Sequence, residues 1–309
     1  MPIDLIKVTS PSFSKNDSLK SQLLRYFPNS VFNSEGSIFN SNQLKNFLKD
    51  SIGAVIGLEK IDEPVLQSCK NLKVIAKFGV GLDNIDQVAC KKYGIQVLGS
   101  HGVNKLSVAE LTLGFMIALC RNFYRASLEL KNGKWNKTGG YELSGKTVGI
   151  IGVGNIGKEV VRLLQPFHCK ILVNDILDQV DYYKMNQLIE STKENLFKKA
   201  DIVTIHTPLT AQTKNIVNKI SLASMKKGSF LINTSRGPVI NQQDLKEALI
   251  AGTIAGAAID VYETEPPEDQ ELLRLPNLIC SPHIGGASVE AVMEMGLSAI
   301  NQLKKFFKA

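Results

Sequence analysis

Cysteine is sparse and unpaired: Cys69, Cys90, Cys120, Cys169 and Cys280 are odd in number, show no C-x-x-C spacing and sit mostly in apolar or helical contexts. That argues against a disulfide framework and for reduced, buried thiols in a cytoplasm. Long hydrophobic runs are missing as well. The longest apolar stretch, Leu111 to Cys120, is interrupted by Thr112 and Gly114 and is too short to cross a bilayer. The N-terminus carries Asp4 and Lys7 but no apolar segment followed by a small-residue cleavage site, so neither secretion nor membrane anchoring is expected. Internal repeats and low-complexity segments are absent. Positive charge exceeds negative, giving a net +7, yet the lysines are scattered and the basic run Lys304-Lys305-Phe306-Phe307-Lys308 is short. A solvated basic surface follows, rather than a nucleic-acid interface; its modest field would help to capture small anions.

What is present is apolar content. With 309 residues, 44% of them hydrophobic, the chain can bury one large or two ordinary cores, and two domains are expected.

The most telling segment runs from Lys146 to Gly157, where a buried strand passes into Gly152-Val153-Gly154-Asn155-Ile156-Gly157 and then a helix. Gly152 permits the tight turn, Gly154 lets backbone N–H groups approach a pyrophosphate, and Gly157 lets the helix pack on its strand. A second strand, Ile171–Asn174, ends at Asp175, eighteen residues beyond Gly157, where a carboxylate would grip a ribose diol. That acid would repel a 2′-phosphate, and residues 176 to 180 (Ile-Leu-Asp-Gln-Val) supply no cation to neutralise one. NAD is expected rather than NADP.

The first hundred residues alternate short apolar strands with helical segments. Candidate strands are Asp4–Thr9, Ala54–Leu58, Leu72–Phe78 and Ile95–Leu98. Ser107-Val-Ala-Glu110 reads as a capping box opening a long apolar helix to about Phe123, after which the chain turns polar and glycine-rich through Gly133, Gly139 and Gly140. A second α/β unit follows, with six strands near Thr147–Ile151, Ile171–Asn174, Ile202–His206, Ser229–Asn233, Gly256–Asp260 and Leu278–Cys280.

Arg236, Glu265 and His283 each lie just beyond the carboxyl end of one of those strands, where open α/β sheets bind ligands. Their chemistries complete one reaction on a 2-hydroxy acid. A guanidinium forks a carboxylate and polarises the neighbouring carbonyl, and an imidazole oriented by a carboxylate moves the hydroxyl proton.

At these residues the chain resembles the NAD-dependent D-2-hydroxyacid dehydrogenases, a family that includes phosphoglycerate, glycerate and formate dehydrogenases and the C-terminal-binding-protein corepressors. The resemblance runs through seven motifs in order: Phe78 to Asp86, Ser107 to Leu111, the glycine fingerprint, His206-Thr207-Pro208, Asn233 to Gly237, Asp260 to Pro266 and Ser281-Pro282-His283. It implies two doubly wound parallel-sheet domains, a Rossmann dinucleotide-binding domain (residues 101–286) inserted into a flavodoxin-like substrate domain (1–100 and 287–309). A closing helix from about Ala287 to Lys308 would return to pack on the first segment. It implies Arg236, Glu265 and His283 as the catalytic set, with no metal. It implies NAD contacts at Val80, Gly152, Gly154, Asn155, Ile156, Gly157, Asp175, His206, Thr207, Pro208, Thr234, Ser235, Arg236, Asp260, His283 and Gly286, with Asp260 at the nicotinamide carboxamide. Substrate contacts are implied at Lys77, Val80, Gly81, Arg236 and His283. His206 ends a buried strand and also reads as a core histidine; its segment is taken as cofactor wall. His101 and His168 carry no motif and are read as structural.

Some residues depart from the phosphoglycerate-type pattern. Members acting on 3-phosphoglycerate often carry an Arg at the end of the third strand, where this chain has Gly57-Leu58-Glu59. Lys77 stands at an often basic position and Lys60 lies nearby; Lys77 reads equally as a surface strand-end charge. With the last residue at Ala309, a C-terminal regulatory domain and serine feedback are not expected. The expectation is a cytoplasmic homodimer acting on a small 2-hydroxy/2-oxo acid, phosphoglycerate dehydrogenase-like in character, with no nucleic-acid or membrane partner. Hydroxypyruvate or glyoxylate reduction, and an NAD-sensing corepressor-type role, stay open.

Overall fold

The computed structural model describes residues 5–309, so Asp4 lies outside the described residues. Two compact units divide the chain, one comprising the segment up to Asn104 together with Gly286–Ala309, the other Lys105–Gly285. The junctions thus fall after Asn104 and after Gly285 rather than at 100/101 and 286/287, which assigns residues 101–104 and Gly286 to the first unit.

The first unit holds five strands, β1 (Ile6–Val8), β2 (Val31–Phe32), β3 (Gly53–Ile56), β4 (Val74–Lys77) and β5 (Gln96–Leu98), all parallel in the order β2-β1-β3-β4-β5. β3 and β4 are buried along their whole length, as strands covered on both faces must be. The helix Val289–Phe307 belongs to this unit. Met295, Ala299, Ile300 and Leu303 pack from it into a core with Ile6, Val8, Leu19, Val55 and Val74. Gly296 lets it approach the helix Asp17–Tyr26: a Cβ there would stand 2.4 Å from both Leu19 methyls.

The second unit is a seven-stranded parallel sheet. Its strands are β6 (Thr147–Ile151), β7 (Lys170–Asn174), β8 (Ile189–Glu190), β9 (Ile202–Ile205), β10 (Phe230–Asn233), β11 (Gly256–Ile259) and β12 (Leu278–Cys280), in the order β12-β11-β10-β9-β6-β7-β8. The order reverses between β6 and β9, the switch point of a doubly wound sheet. Six strands were expected here; the seventh, β8, is a two-residue edge strand with both residues exposed and no apolar run to announce it, and the same brevity hid β2.

Two helix expectations are corrected. The long helix is Lys105–Cys120, so Ser107 lies inside its first turn and its hydroxyl donates to the Gly285 carbonyl at 2.6 Å instead of capping. The chain then breaks at Asn122, which adopts a left-handed φ of 52°, and a second helix, Phe123–Lys131, runs through the stretch read as leading into a polar loop. Cys69, Cys90 and Cys120 are buried, and burial pushes the Cys90 and Cys120 thiols up to about 11. Among the described residues no single helix is long and apolar enough to cross a membrane.

Candidate active site

The switch point of the second unit is built by glycines. Gly152 turns with φ 93°, and a Cβ there would lie 2.7 Å from the His206 carbonyl oxygen at the end of β9. A Cβ on Gly157 would stand 2.1 Å from the Gly152 carbonyl oxygen, so helix and turn can meet only without side chains. Gly154 has no heavy atom within 4 Å of where its Cβ would be, and it precedes the helix Asn155–Leu164 without any side-chain cap. The first N–H groups of that helix therefore have no capping side chain, on the same side as open space, which is the arrangement a pyrophosphate requires.

Asp175, directly after β7, closes this turn. One of its carboxylate oxygens accepts from Val153 N at 2.5 Å and the other from Leu177 N at 2.9 Å. Each oxygen keeps a further lone pair, which suits a ribose diol. On the other side stands His206, buried, with Nε2 3.0 Å from Thr204 Oγ1 and no partner for Nδ1. Burial pushes its imidazole down to about 3, so it is neutral. The Thr207 hydroxyl is likewise buried without a partner. Two orphaned polar atoms beside an uncapped helix start are what a bound dinucleotide would complete, so the residues present fit NAD. Pro208 is exposed at the same strand end.

Arg236, Glu265 and His283 follow β10, β11 and β12, three adjacent strands. Their loops are locked together by groups the motifs alone did not reveal. Asn233 takes Ser235 N and Ser235 Oγ on its Oδ1, at 3.0 and 2.8 Å, and donates to the Arg236 carbonyl at 2.9 Å. The guanidinium donates to the Ser235 carbonyl at 2.7 Å. Thr234, buried, pairs with Thr112 of the helix Lys105–Cys120 at 2.9 Å. A Cβ on Gly237 would fall 1.9 Å from the Tyr262 carbonyl, so the loop after β10 reaches the loop after β11 only through a glycine.

Tyr262 in turn donates its N–H to Glu265 Oε1 at 3.1 Å and its hydroxyl to the Ser281 carbonyl at 3.0 Å. Burial pushes that phenol up, keeping it a donor. Asp260 is buried and spends its carboxylate on the last loop, accepting from Ser281 Oγ at 2.5 Å, Ile284 N at 2.8 Å and Gly285 N at 2.7 Å. Its main-chain oxygen accepts from His283 N at 2.9 Å. Asp260 thus orders the segment that carries His283 in a left-handed conformation, φ 54°.

His283 Nδ1 meets Glu265 Oε2 at 2.7 Å, with both side chains about one-third exposed. Burial works to raise the Glu265 carboxyl, but the hydrogen bond and charge of His283, the Tyr262 N–H and the charge of Arg236 outweigh it and hold the group below the usual carboxylate range. A carboxylate only accepts, so the proton between them sits on Nδ1 and Nε2 is left to exchange a proton with a ligand.

The remaining expected residues lie in the first unit. Lys77 ends β4 and is buried, with its ammonium donating to the Gly57 carbonyl and to Asn84 Oδ1, the latter at 2.7 Å. The reading of Lys77 as a surface charge is therefore wrong: the side chain turns inward because two turns offer it acceptors. Val80 and Gly81 follow it, half-buried. Gly286 sits against Asn104, whose Nδ2 would be 2.6 Å from a Cβ.

The chain is similar to known proteins in sequence and in fold. Residues 113–285 match the NAD binding domain of the D-isomer specific 2-hydroxyacid dehydrogenases. A hydroxypyruvate reductase of Thermotoga maritima is 40% identical over 80% of this chain and 81% of its own. A D-3-phosphoglycerate dehydrogenase of Methanocaldococcus jannaschii is also 40% identical over 81% of this chain, but over only 48% of its own length, so the chain spans about half of that relative. Among solved structures, a D-lactate dehydrogenase of Aquifex aeolicus complexed with NAD and lactic acid superposes with a TM-score of 0.87 at 26% identity, covering 98% of this chain and 95% of that one. With the family's nucleotide-binding domain, relatives at 40% identity and both sheets accounted for, the chain belongs to the D-isomer specific 2-hydroxyacid dehydrogenases, the NAD-dependent oxidoreductases of 2-hydroxy acids.

Proposed function

We propose that this enzyme interconverts a small 2-oxo acid and its D-2-hydroxy acid through Arg236, Glu265 and His283. The observation that supports it most is the His283–Glu265 pair at 2.7 Å on a loop tied down by Asp260. When bound, NAD supplies or accepts the hydride. Arg236 holds the substrate carboxylate and draws electron density from the adjacent carbonyl. His283 Nε2 delivers the proton to the developing hydroxyl in reduction and removes it in oxidation. Glu265 keeps the ring oriented by accepting from Nδ1. The segment His206-Thr207-Pro208, with Thr234, Ser235 and the glycine turn, is cofactor wall.

The chain acts in the cytoplasm as a homodimer. What supports the dimer is the helix Phe123–Lys131, which buries none of its residues and displays Phe123 at 67% and Leu130 at 55% exposure, with Trp135 at 80% close by. An apolar face of that kind on one protomer suits the same face on a second copy. Light scattering of the purified protein at micromolar concentration tests it; a monomer mass rules it out.

NADH oxidation in the presence of glyoxylate, pyruvate, hydroxypyruvate and 3-phosphohydroxypyruvate tests the reaction. Turnover with at least one of them is expected. No turnover with any, together with tight NADH binding, would favour an NAD-sensing binding protein.

A further inference from the structure

Tyr262 touches each of the loops that carry Arg236, Glu265 and His283, and all of these residues lie in the second unit. Its carbonyl meets the loop after β10. A Cβ on Gly237, next to Arg236, would stand 1.9 Å from the Tyr262 carbonyl carbon and oxygen and 2.6 Å from Glu263 N, so the two backbones are in contact. Its N–H donates to Glu265 Oε1 at 3.1 Å. Its hydroxyl donates to the Ser281 carbonyl oxygen at 3.0 Å, and the same oxygen accepts from His283 N at 3.1 Å. With Glu265 Oε2 2.7 Å from His283 Nδ1, these bonds close a circuit that begins and ends on Tyr262. It runs from amide to carboxylate, carboxylate to imidazole, His283 main chain to the Ser281 carbonyl, and carbonyl to phenol.

The aromatic ring and the hydroxyl of Tyr262 have separable roles. The residue is 6% exposed and belongs to the apolar core that includes Val239, Ile259 and Leu272, where a phenylalanine would fill the same space. The hydroxyl serves the loop after β12. Burial pushes the phenol up, so it stays a donor, and burial also raises the neighbouring Cys280 thiol, which keeps an anion from forming beside it. Ser281 is itself buried, so without the hydroxyl its carbonyl would lose a donor that water does not readily replace. Asp260 holds the same loop through Ser281 Oγ, Ile284 N and Gly285 N, and leaves the Ser281 carbonyl to Tyr262.

We propose that the Tyr262 hydroxyl is a positioning group: by holding the Ser281 carbonyl it sets the His283 ring against the Glu265 carboxylate, and its loss slows proton transfer without weakening substrate or NAD binding. This rests on the reaction proposed above and adds to it a residue that acts through His283. Ring orientation fixes both the Nδ1 bond to Glu265 and the direction of Nε2, so a small displacement of the loop falls on the proton-transfer step. The Arg236 loop rests on the Tyr262 backbone, which any side chain at this position leaves in place.

Tyr262→Phe removes the hydroxyl and keeps the ring. With the best 2-oxo acid and NADH, kcat should fall about tenfold. KM and the Kd for NADH should each change by less than about twofold, and Tm by less than about 4 °C. A second readout needs no substrate. In ligand-free enzyme labelled with 15N-histidine, the Nδ1 proton of His283, identified by its loss in His283→Asn, should lie well downfield of the other imidazole protons, as a short hydrogen bond to a carboxylate demands. In Tyr262→Phe it should move upfield or broaden away. An unchanged Nδ1 signal, or a kcat within about twofold of wild type per NADH-binding site, would overturn the proposal and reduce Tyr262 to a core residue. A rise in KM as large as the fall in kcat would overturn it too, because the hydroxyl would then serve substrate binding. No reduction of any acid by the wild type would overturn the reaction proposed above, and the Nδ1 signal would still decide whether Tyr262 holds the pair. Should Tyr262→Phe not fold, the wild-type spectrum decides: an Nδ1 signal that emerges only with NADH and substrate present would mean that ligands, not Tyr262, set the ring.

Discussion

The Glu265 carboxylate meets the His283 imidazole at 2.7 Å, Oε2 to Nδ1, across the loops that follow β11 and β12. Neither loop is free to drift. Tyr262 bonds Glu265 through its N–H and Ser281 through its hydroxyl, and Asp260 takes three donors from residues 281 to 285. The pair is therefore held in place before any ligand arrives, the condition under which proton transfer is efficient.

His283→Ala should lower kcat by about a hundred- to ten-thousand-fold, because general acid–base catalysis is removed. The Kd for NADH, followed by fluorescence titration, should change little. Glu265→Gln should retain the ring's neighbour but lose its charge, giving a smaller fall in kcat at unchanged NADH affinity. Near-normal turnover of the His283 variant on the best substrate would rule the mechanism out.

Arg236→Lys keeps a positive charge and loses the planar fork. KM for the 2-oxo acid should rise and kcat fall, each by about tenfold or more, since carboxylate binding and carbonyl polarisation use the same group. A change confined to kcat would separate Arg236 from substrate binding.

Asp175→Ala should weaken NADH binding and relax discrimination against NADPH, through loss of the diol grip and of the repulsion toward a 2′-phosphate. The side chain also holds Val153 N at 2.5 Å, so some affinity loss from a looser glycine turn is expected for both cofactors. The ratio of the two Kd values, by calorimetry, isolates the electrostatic part. Equal use of NADH and NADPH by the wild type would contradict the assignment.

His206 makes folding stability depend on pH. Burial lowers its imidazole from 6.5 to about 3, so between those values the unfolded chain binds a proton that the folded chain refuses. This contribution is fully present above pH 6.5 and is lost as pH falls toward 3, at up to ~1.4 kcal/mol per pH unit. Urea unfolding of the wild type and of His206→Asn from pH 7 to pH 4 should show a shallower slope in the variant. Parallel slopes would mean that the buried imidazole accepts a proton in the fold.

Much of the cofactor cradle could be read from the chain because it is a local backbone requirement. Gly152 must take a positive φ and Gly157 must admit the Gly152 carbonyl, and only glycine does either, so the spacing by itself announced the turn, the helix and the acid of the next strand. The short apolar strands were legible for a similar reason: a strand covered on both faces is apolar residue by residue, as in β3 and β11. β2 and β8 were not, because two-residue edge strands are too short to show an apolar run and exist through a neighbour's hydrogen bonds.

Side-chain destinations were decided by the tertiary structure. Ser107 looked like a helix cap, yet it bonds the carbonyl of Gly285, 178 residues away. Lys77 looked equally fit for a surface or for a ligand, and the fold buries it between two turns that are separate in sequence. The long-range partners of Thr112, Asp260 and Tyr262 left no mark on spacing, since a hydrogen bond between remote segments constrains geometry and not local pattern. The sequence determined which chemistries the chain carries and which strand end each follows; packing decided which of those groups are held rigid, which are spent inside the protein, and which are left to meet a substrate.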